Sequence, residues 1–404
     1  MKNRYLLIIL FAGVLLAGCR KNEPPDPVDT DPKTLVMFGD ISTFPTYNVA
    51  TAGAAIAKGA LIEGQQVVYY QYDSKGGTLY RLVKNAAESD SFESVPIKSY
   101  EDGISGFDPD KLRKIIVDAR EAAPANHYGL SIGSHGSGWV TYSLWTNRSA
   151  RSSAALNDFA PLFEPRENSL TRYMYSDGNY RWIEVTDFAK ALDGLHFDFI
   201  LLDQCFMGGI EVAFELKDIA SHLIVSPAEI IIYGFPFDRV VGRLFKNWND
   251  LTGVCMDFIN YYKNSSNPYG TISLVKTSEL PTLARATKAI VDSQGGGLLT
   301  PAGGISGLQY YEGLSTHLFY DFGQYIKNST PKSYSSLYDT FEEALGRAIP
   351  YMDHTDTFLS ALSYGRQEIP VDYYSGLSAY VPDTSTSAFL DAYRETSWYK
   401  AVYE

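Results

Sequence analysis

Short apolar runs alternating with helix-period segments constrain the fold of this chain more than any other feature. TLVMFGD (34–40) and QQVVYYQYD (65–73) read as strands on either side of a small-residue helix, NVATAGAAIAKGALI. DPDKLRKIIVDAREA has Asp108 as an N-cap and Pro109 at the first helical position, with Leu112, Ile115, Ile116 and Ala119 at helical spacing. It feeds the strand HYGLSIG, which stops at Ser134 and His135. VTDFAKALDG and FDFILLD repeat the unit, and this strand stops at Asp203, Gln204 and Cys205. After Gly208 and Gly209 a helix carries Met207, Ile210, Phe214 and Lys217 on one face, and HLIVSPAE supplies the next strand. Such alternation predicts an α/β fold with a largely parallel central sheet, with TLYRLVKN as an added antiparallel strand. Beyond residue 245, the helices LTGVCMDFINYY and SELPTLARATKAIVDS and the strands GTISLVK and YYSGLSAYVP form an α/β extension, 246–404, to a core of residues 34–245.

The first residues stand apart from this pattern. MKNR is a positive n-region, YLLIILFAGVLL an apolar run too short for a stable membrane span, and LAGC a small-residue cleavage site resembling a bacterial lipobox. The expectation is a lipoprotein signal over residues 1–18, a lipid on Cys19, and an extracytoplasmic protein anchored to the outer or inner membrane. Residues 19–33 contain four prolines among mixed charges, so they form a tether with no core to bury. Loss of Lys2 and Arg4 with the signal leaves a net charge of about −15, which argues against a nucleic-acid partner.

The chemistry concentrates at two strand ends. In open α/β sheets ligands bind beyond the carboxyl ends of the strands, where His135 and Cys205 both fall. A thiol is only slightly ionised at neutral pH and needs a base or a local positive potential to become a nucleophile. His135 and the start of the helix after Gly208 and Gly209 could supply these, and the backbone N–H groups of Gly136 and Cys205 are candidates for an oxyanion hole. With Cys19 used as an anchor, Cys205 and Cys255 could form a disulfide, or could be one reactive and one buried thiol. The helical apolar spacing around Cys255 favours a core position.

SHGSGW (134–139) and DQCFMGGIEVAFEL (203–216), together with PANHYGLSIGSHGSGW and SPAEIIIYGFPFD, resemble the blocks of the clostripain family of cysteine peptidases, relatives of caspases, legumains and gingipains. The resemblance implies a caspase-like αβα sandwich with additional C-terminal elements. It also implies a His135–Cys205 dyad and endopeptidase cleavage after Arg or Lys, so the partner is a peptide or protein substrate with basic residues. Asp203, two residues before the cysteine, matches the family position that selects a basic side chain, while its local alternative is to cap the following helix. Family members are often cut within their own chain, and Arg148 and Arg151 in WTNRSARSSAA are candidates for such a cut in an exposed insertion spanning 141–181. Gln204 and Ser134 replace the Ala and the acid usual at those positions, so an inactive relative is one alternative reading.

Two rivals come from other classes. Gly129-Leu130-Ser131-Ile132-Gly133 matches the GxSxG elbow of serine hydrolases, but that elbow needs a strand-to-helix turn and Ser131 falls inside a strand pattern. A glycan-binding surface lipoprotein would use some of the 30 tyrosines as stacking platforms. His127, His196, His222, His317 and His354 have no metal-ligand spacing, so no metal or other cofactor is expected. Acid-rich loops leave calcium open, although none matches an EF-hand.

Overall fold

The computed structural model describes residues 31–39, 45–73, 76–88, 90–100, 108–141, 144, 183–314, 316–362, 367–382 and 387–404. Cys19, the tether up to residue 30, Arg148, Arg151 and nearly all of the expected insertion lie outside the described residues.

Among the described residues the strands of the main sheet are β1 (Lys33–Gly39), β2 (Gln65–Asp73), β3 (Gly76–Lys84), β4 (Phe92–Tyr100), β5 (His127–Gly133), β6 (Phe197–Asp203), β7 (Ala220–Val225), β8 (Thr271–Lys276) and, after the two-residue strand β9 (Tyr320–Asp321), β10 (Tyr351–His354). Their order is β10-β8-β7-β6-β5-β1-β2-β3-β4. The five central strands, β2 to β7 through β1, are mutually parallel, while β3, β4, β8 and β10 add antiparallel edges. The chain leaves β1 to one side for β2 and returns to the other for β5. That reversal opens a crevice at the carboxyl ends of β1 and β5.

Strand alternation assigns the two helical layers. Leu35, Met37, Val67, Tyr69, Phe199 and Leu201 face one layer, formed by α1 (Pro45–Ala57) and the later helices Phe237–Lys246 and Leu251–Lys263. Val36, Val68, Leu130, Ile132, Ile200 and Leu202 face the other, which contains α2 (Pro109–Ala122), α3 (Val185–Leu192) and α4 (Ile210–Glu215). Both faces of the central strands are therefore buried, as a parallel sheet requires. Helix α2 starts as its sequence dictates: Asp108 accepts a hydrogen bond from the Lys111 N–H at 3.0 Å, and Leu112, Ile115, Ile116 and Ala119 are buried.

Two local expectations change. Residues 204–208 are turn, and α4 begins only at Ile210 with Gly209 as its N-cap, so Met207 precedes the helix. The strand expected across YYSGLSAYVP shrinks to Ser378–Ala379, which pairs with β9. The alternative of a disulfide between Cys205 and Cys255 is not realised; both are buried thiols. Cys255 lies on Leu251–Lys263 among Val254, Phe258 and Ile259, and burial pushes its thiol pKa up, which keeps it protonated and inert.

Candidate active site

The ends of β5 and β6 lie side by side, with Gly133 opposite Asp203. Beyond that pair two loops are fastened together. The Gln204 Nε2 donates to Ser134 Oγ at 2.6 Å and to the His135 carbonyl at 2.8 Å. The two residues that depart from the family pattern thus bond one another, and the amide of one ties down the histidine loop. Gly136 packs directly against the cysteine loop: a Cβ there would stand 2.3 Å from the Cys205 carbonyl oxygen and 3.0 Å from the Gln204 Cβ. His135 and Cys205, seventy positions apart in the chain, are thereby brought to adjacent strand ends, with His135 half-buried.

Glycine at 136 is therefore required by close approach. Gly136→Ala is expected to push the histidine loop off the cysteine loop, since the obstructing atom is backbone and cannot swing away. A misplacement on the order of 1 Å costs about 100-fold in turnover. The check is peptide hydrolysis alongside a melting curve: wild-type turnover in a folded variant would show that the two loops tolerate separation.

Cys205 is 0% exposed. Its Sγ accepts a hydrogen bond from the Ile230 N–H at 3.3 Å and lies 3.7 Å from the Ile230 carbonyl oxygen. Parallel contacts run along the same segment: Phe206 N–H donates to the Ala228 carbonyl at 3.2 Å, and Gly208 N–H to the Ser226 carbonyl at 2.8 Å. Residues 226–230 therefore run alongside the cysteine loop, with Ile230 against the thiol. The α4 N-cap, Gly209, lies four residues beyond the cysteine along the turn of residues 204–208. The N–H of Ile230 is a donor to the sulfur, and nothing in the sequence marks it.

Phe206 has φ +62°, a left-handed conformation uncommon outside glycine that costs on the order of 1 kcal/mol. It is held by its N–H bond to Ala228 and by stacking on Phe319 at 4.8 Å between ring centroids. Trp139, four residues past the histidine, packs on Tyr380 at 4.9 Å. Phe319 and Tyr380 both come from the C-terminal part of the chain, so that part builds walls around the two loops. Ser378 N–H also donates to the Gly208 carbonyl at 2.9 Å, and Tyr380 N–H to Glu211 Oε1 at 2.8 Å.

Asp203 is 0% exposed and points to the α1 face of the sheet, where Asn48 Nδ2 donates to its Oδ2 at 2.9 Å. It does not cap α4, whose N-cap is Gly209. Ser131 sits mid-strand in β5, opposite Met37 and Leu201, and so lacks the strand-to-helix turn of a nucleophile elbow. Among the described residues no group of three or more His, Cys, Asp or Glu side chains could hold a metal ion. The histidines outside the site have local partners, such as Asp198 for His127 and Ser221 for His196.

The model of the clostripain family (Peptidase_C11) matches residues 163–388, more than half of the chain and including Cys205. The chain belongs to the clostripain family. This clostripain-family protein resembles three solved structures in particular. A secreted C11 cysteine protease of Bacteroides thetaiotaomicron, iotapain, is 25% identical with a TM-score of 0.76, over 92% of this chain and 99% of its own. An inactive zymogen C11 protease of Parabacteroides distasonis is 28% identical with a TM-score of 0.75, over 93% and 99%. A clostripain of B. thetaiotaomicron in complex with the peptide inhibitor BTN-VLTK-AOMK is 31% identical with a TM-score of 0.51, over 57% of this chain and 99% of its own. No curated protein is significantly similar in sequence. The fold is the caspase-like α/β sandwich of these C11 proteases.

Proposed function

We propose that this protein is a cysteine endopeptidase with Cys205 as nucleophile and His135 as general base and acid, cleaving after a basic residue. The observation that carries the reading is the fastening of the two loops by Gln204 and Gly136 at neighbouring strand ends, within a family of cysteine peptidases. His135 takes the thiol proton as the sulfur adds to the scissile carbonyl carbon. The N–H groups of Gly136 and Cys205 receive the developing oxyanion, and His135 returns the proton to the departing amine. Water, deprotonated by the same imidazole, then hydrolyses the thioester and frees the sulfur. Asp203 supplies the negative charge for the basic side chain; the lysine in the inhibitor bound by the B. thetaiotaomicron clostripain is in keeping with this.

The sulfur is buried and accepts a bond from the Ile230 N–H, which supports reading the intact chain as a resting form. Its likeness to an inactive zymogen supports this reading, and cleavage after Arg148 or Arg151 is the proposed activating step. Residues 34–245 form the peptidase core, and residues 246–404 complete the cleft walls. A signal at 1–18 and a lipid on Cys19 place the enzyme in the cell envelope, a location compatible with a secreted relative. No described helix is long and apolar enough to cross a membrane.

The test is covalent labelling by a peptidyl acyloxymethyl ketone ending in lysine, before and after cleavage at Arg148 or Arg151. We expect one adduct, on the tryptic peptide containing Cys205, with a labelling rate that rises after cleavage. Absence of any adduct on Cys205 in both forms would sink the assignment.

A further inference from the structure

Phe319, from the C-terminal part of the chain, touches both loops of the candidate site. On the cysteine side its ring stacks on Phe206, one residue past Cys205, with centroids 4.8 Å apart and planes 6° from parallel. On the histidine side it lies against Gly138, three residues past His135: a Cβ there would stand 2.6 Å from Phe319 Cε1 and 2.9 Å from the Phe206 carbonyl oxygen. Both loop residues are left-handed, with φ +62° at Phe206 and +61° at Gly138. Glycine adopts that conformation freely and phenylalanine does not. The two rings are each 1% exposed, so the pair is internal packing and not a surface for substrate. Phe319 is itself well held. Its carbonyl accepts the Tyr311 N–H at 2.9 Å, the neighbouring Leu318 N–H donates to the buried Glu312 carboxylate at 2.6 Å, and β9 begins at the next residue, Tyr320.

We propose that Phe319 is a positioning residue for the reaction: its ring holds Phe206 in the left-handed conformation that keeps the cysteine loop in register with the histidine loop. The assignment rests on the peptidase reading above and deepens it. The φ angle at 206 sets the direction of the peptide that joins Cys205 to Phe206. That peptide carries the Cys205 carbonyl oxygen, the atom nearest to where a Cβ on Gly136 would stand. Relaxing φ to the usual negative range would swing this peptide, and the sulfur with it, against a chain that Gly208 fixes through its N–H bond to the Ser226 carbonyl. Two contacts resist the swing. The N–H bond from Phe206 to Ala228 does so through the backbone, and the stack on Phe319 does so through the side chain, where a parallel, fully buried ring pair adds attraction beyond the area it covers. Because Phe319 also lies against Gly138, the same ring is a common reference for both loops.

The experiment measures kcat and KM on the full chain, after the activating cleavage, with a fluorogenic peptide ending in lysine, alongside melting curves. Phe319→Ala is expected to lower kcat by about 100-fold with KM unchanged within about threefold, because substrate contacts are untouched and only the geometry of attack is lost. Phe206→Ala removes the same stack but keeps a Cβ on the left-handed residue, and should lose a similar factor. Phe206→Gly deletes the same ring yet adopts a positive φ at no steric cost, so it should stay within about 10-fold of wild type. A role in packing alone predicts glycine to be no better than alanine, since both leave the same cavity. If Phe319→Ala does not fold, Phe319→Leu, which fills much of the space without a flat face to stack, and the two variants at 206 decide the matter. Turnover of the Phe319 variants within about threefold of wild type, a loss confined to KM, or Phe206→Gly as slow as Phe206→Ala overturns the proposal. These failures leave thiol-dependent hydrolysis by wild type intact, whereas failure of the peptidase reading would appear as hydrolysis insensitive to thiol alkylation.

Discussion

Replacing Cys205 by alanine is expected to reduce peptide hydrolysis by about 10,000-fold or more, with His135→Ala close behind and the double variant no worse than either alone. That non-additivity follows from the mechanism. The imidazole has nothing to deprotonate once the sulfur is gone, and without the imidazole a thiol remains mostly protonated at neutral pH. Both variants should melt within a few degrees of wild type, because Cys205→Ala removes one buried sulfur and His135 is half-buried. Steady-state kinetics on the cleaved chain, with active-site titration, provides the check. Residual turnover in Cys205→Ala within tenfold of wild type would remove the sulfur from the chemistry. Serine chemistry at Ser131 would show that result, yet Ser131 lies mid-strand in β5.

The strand ends were legible because a buried parallel strand must be continuously apolar, and the residues where that run breaks fall at the ligand-binding edge. HYGLSIG and FDFILLD break at Ser134-His135 and at Asp203-Gln204-Cys205, and the structure sets these breaks side by side. The start of α2 was legible for a similar reason, since Asp108 and Pro109 act within one turn. The outermost strands, β4 and β10, were not. β4, FESVPIKSY, is mostly exposed and carries Pro96, which falls where the register with β3 shifts beside Leu79 and Tyr80, so neither alternation nor apolarity marks it. Nor could sequence reveal long-range partners. Asn48 lies 155 positions from Asp203 and reads simply as a small polar residue in a helix. The segment beside the cysteine loop is fastened by backbone carbonyls of residues 226 and 228 accepting from the N–H groups of 208 and 206, and backbone groups leave no trace in residue identity.

The C-terminal part contributes to the site through such contacts, and Glu211 is where they become sensitive to pH. The glutamate lies six residues past Cys205, in the first turn of α4, and is fully buried. Its Oε1 accepts the Tyr380 N–H at 2.8 Å, while its Oε2 is buried with no hydrogen-bond partner. Among the described residues Tyr325, Tyr393 and Tyr403 interact electrostatically with it, and burial raises the pKa of each. Burial, opposed in part by the bond from Tyr380, raises the Glu211 pKa from 4.5 to about 7. A raised carboxyl pKa means that the folded chain binds the proton more tightly than the unfolded chain. Stability from this group is therefore fully present below about pH 4.5 and lost as pH rises to about 7, amounting to on the order of 3 kcal/mol. Glu211→Gln mimics the protonated acid, keeps an acceptor for Tyr380, and does not titrate. The variant should match wild type near pH 4.5 and exceed it at pH 8 by on the order of 2–3 kcal/mol, a rise of several degrees in melting temperature. Denaturant titrations of both proteins across this range read the difference directly, and general acid effects cancel between them. Parallel curves, or a variant weaker than wild type at pH 8, would show that Glu211 is ionised at no cost. The contact between the cysteine loop and the Ser378–Tyr380 segment would then be held by a charge-assisted bond instead of a neutral one.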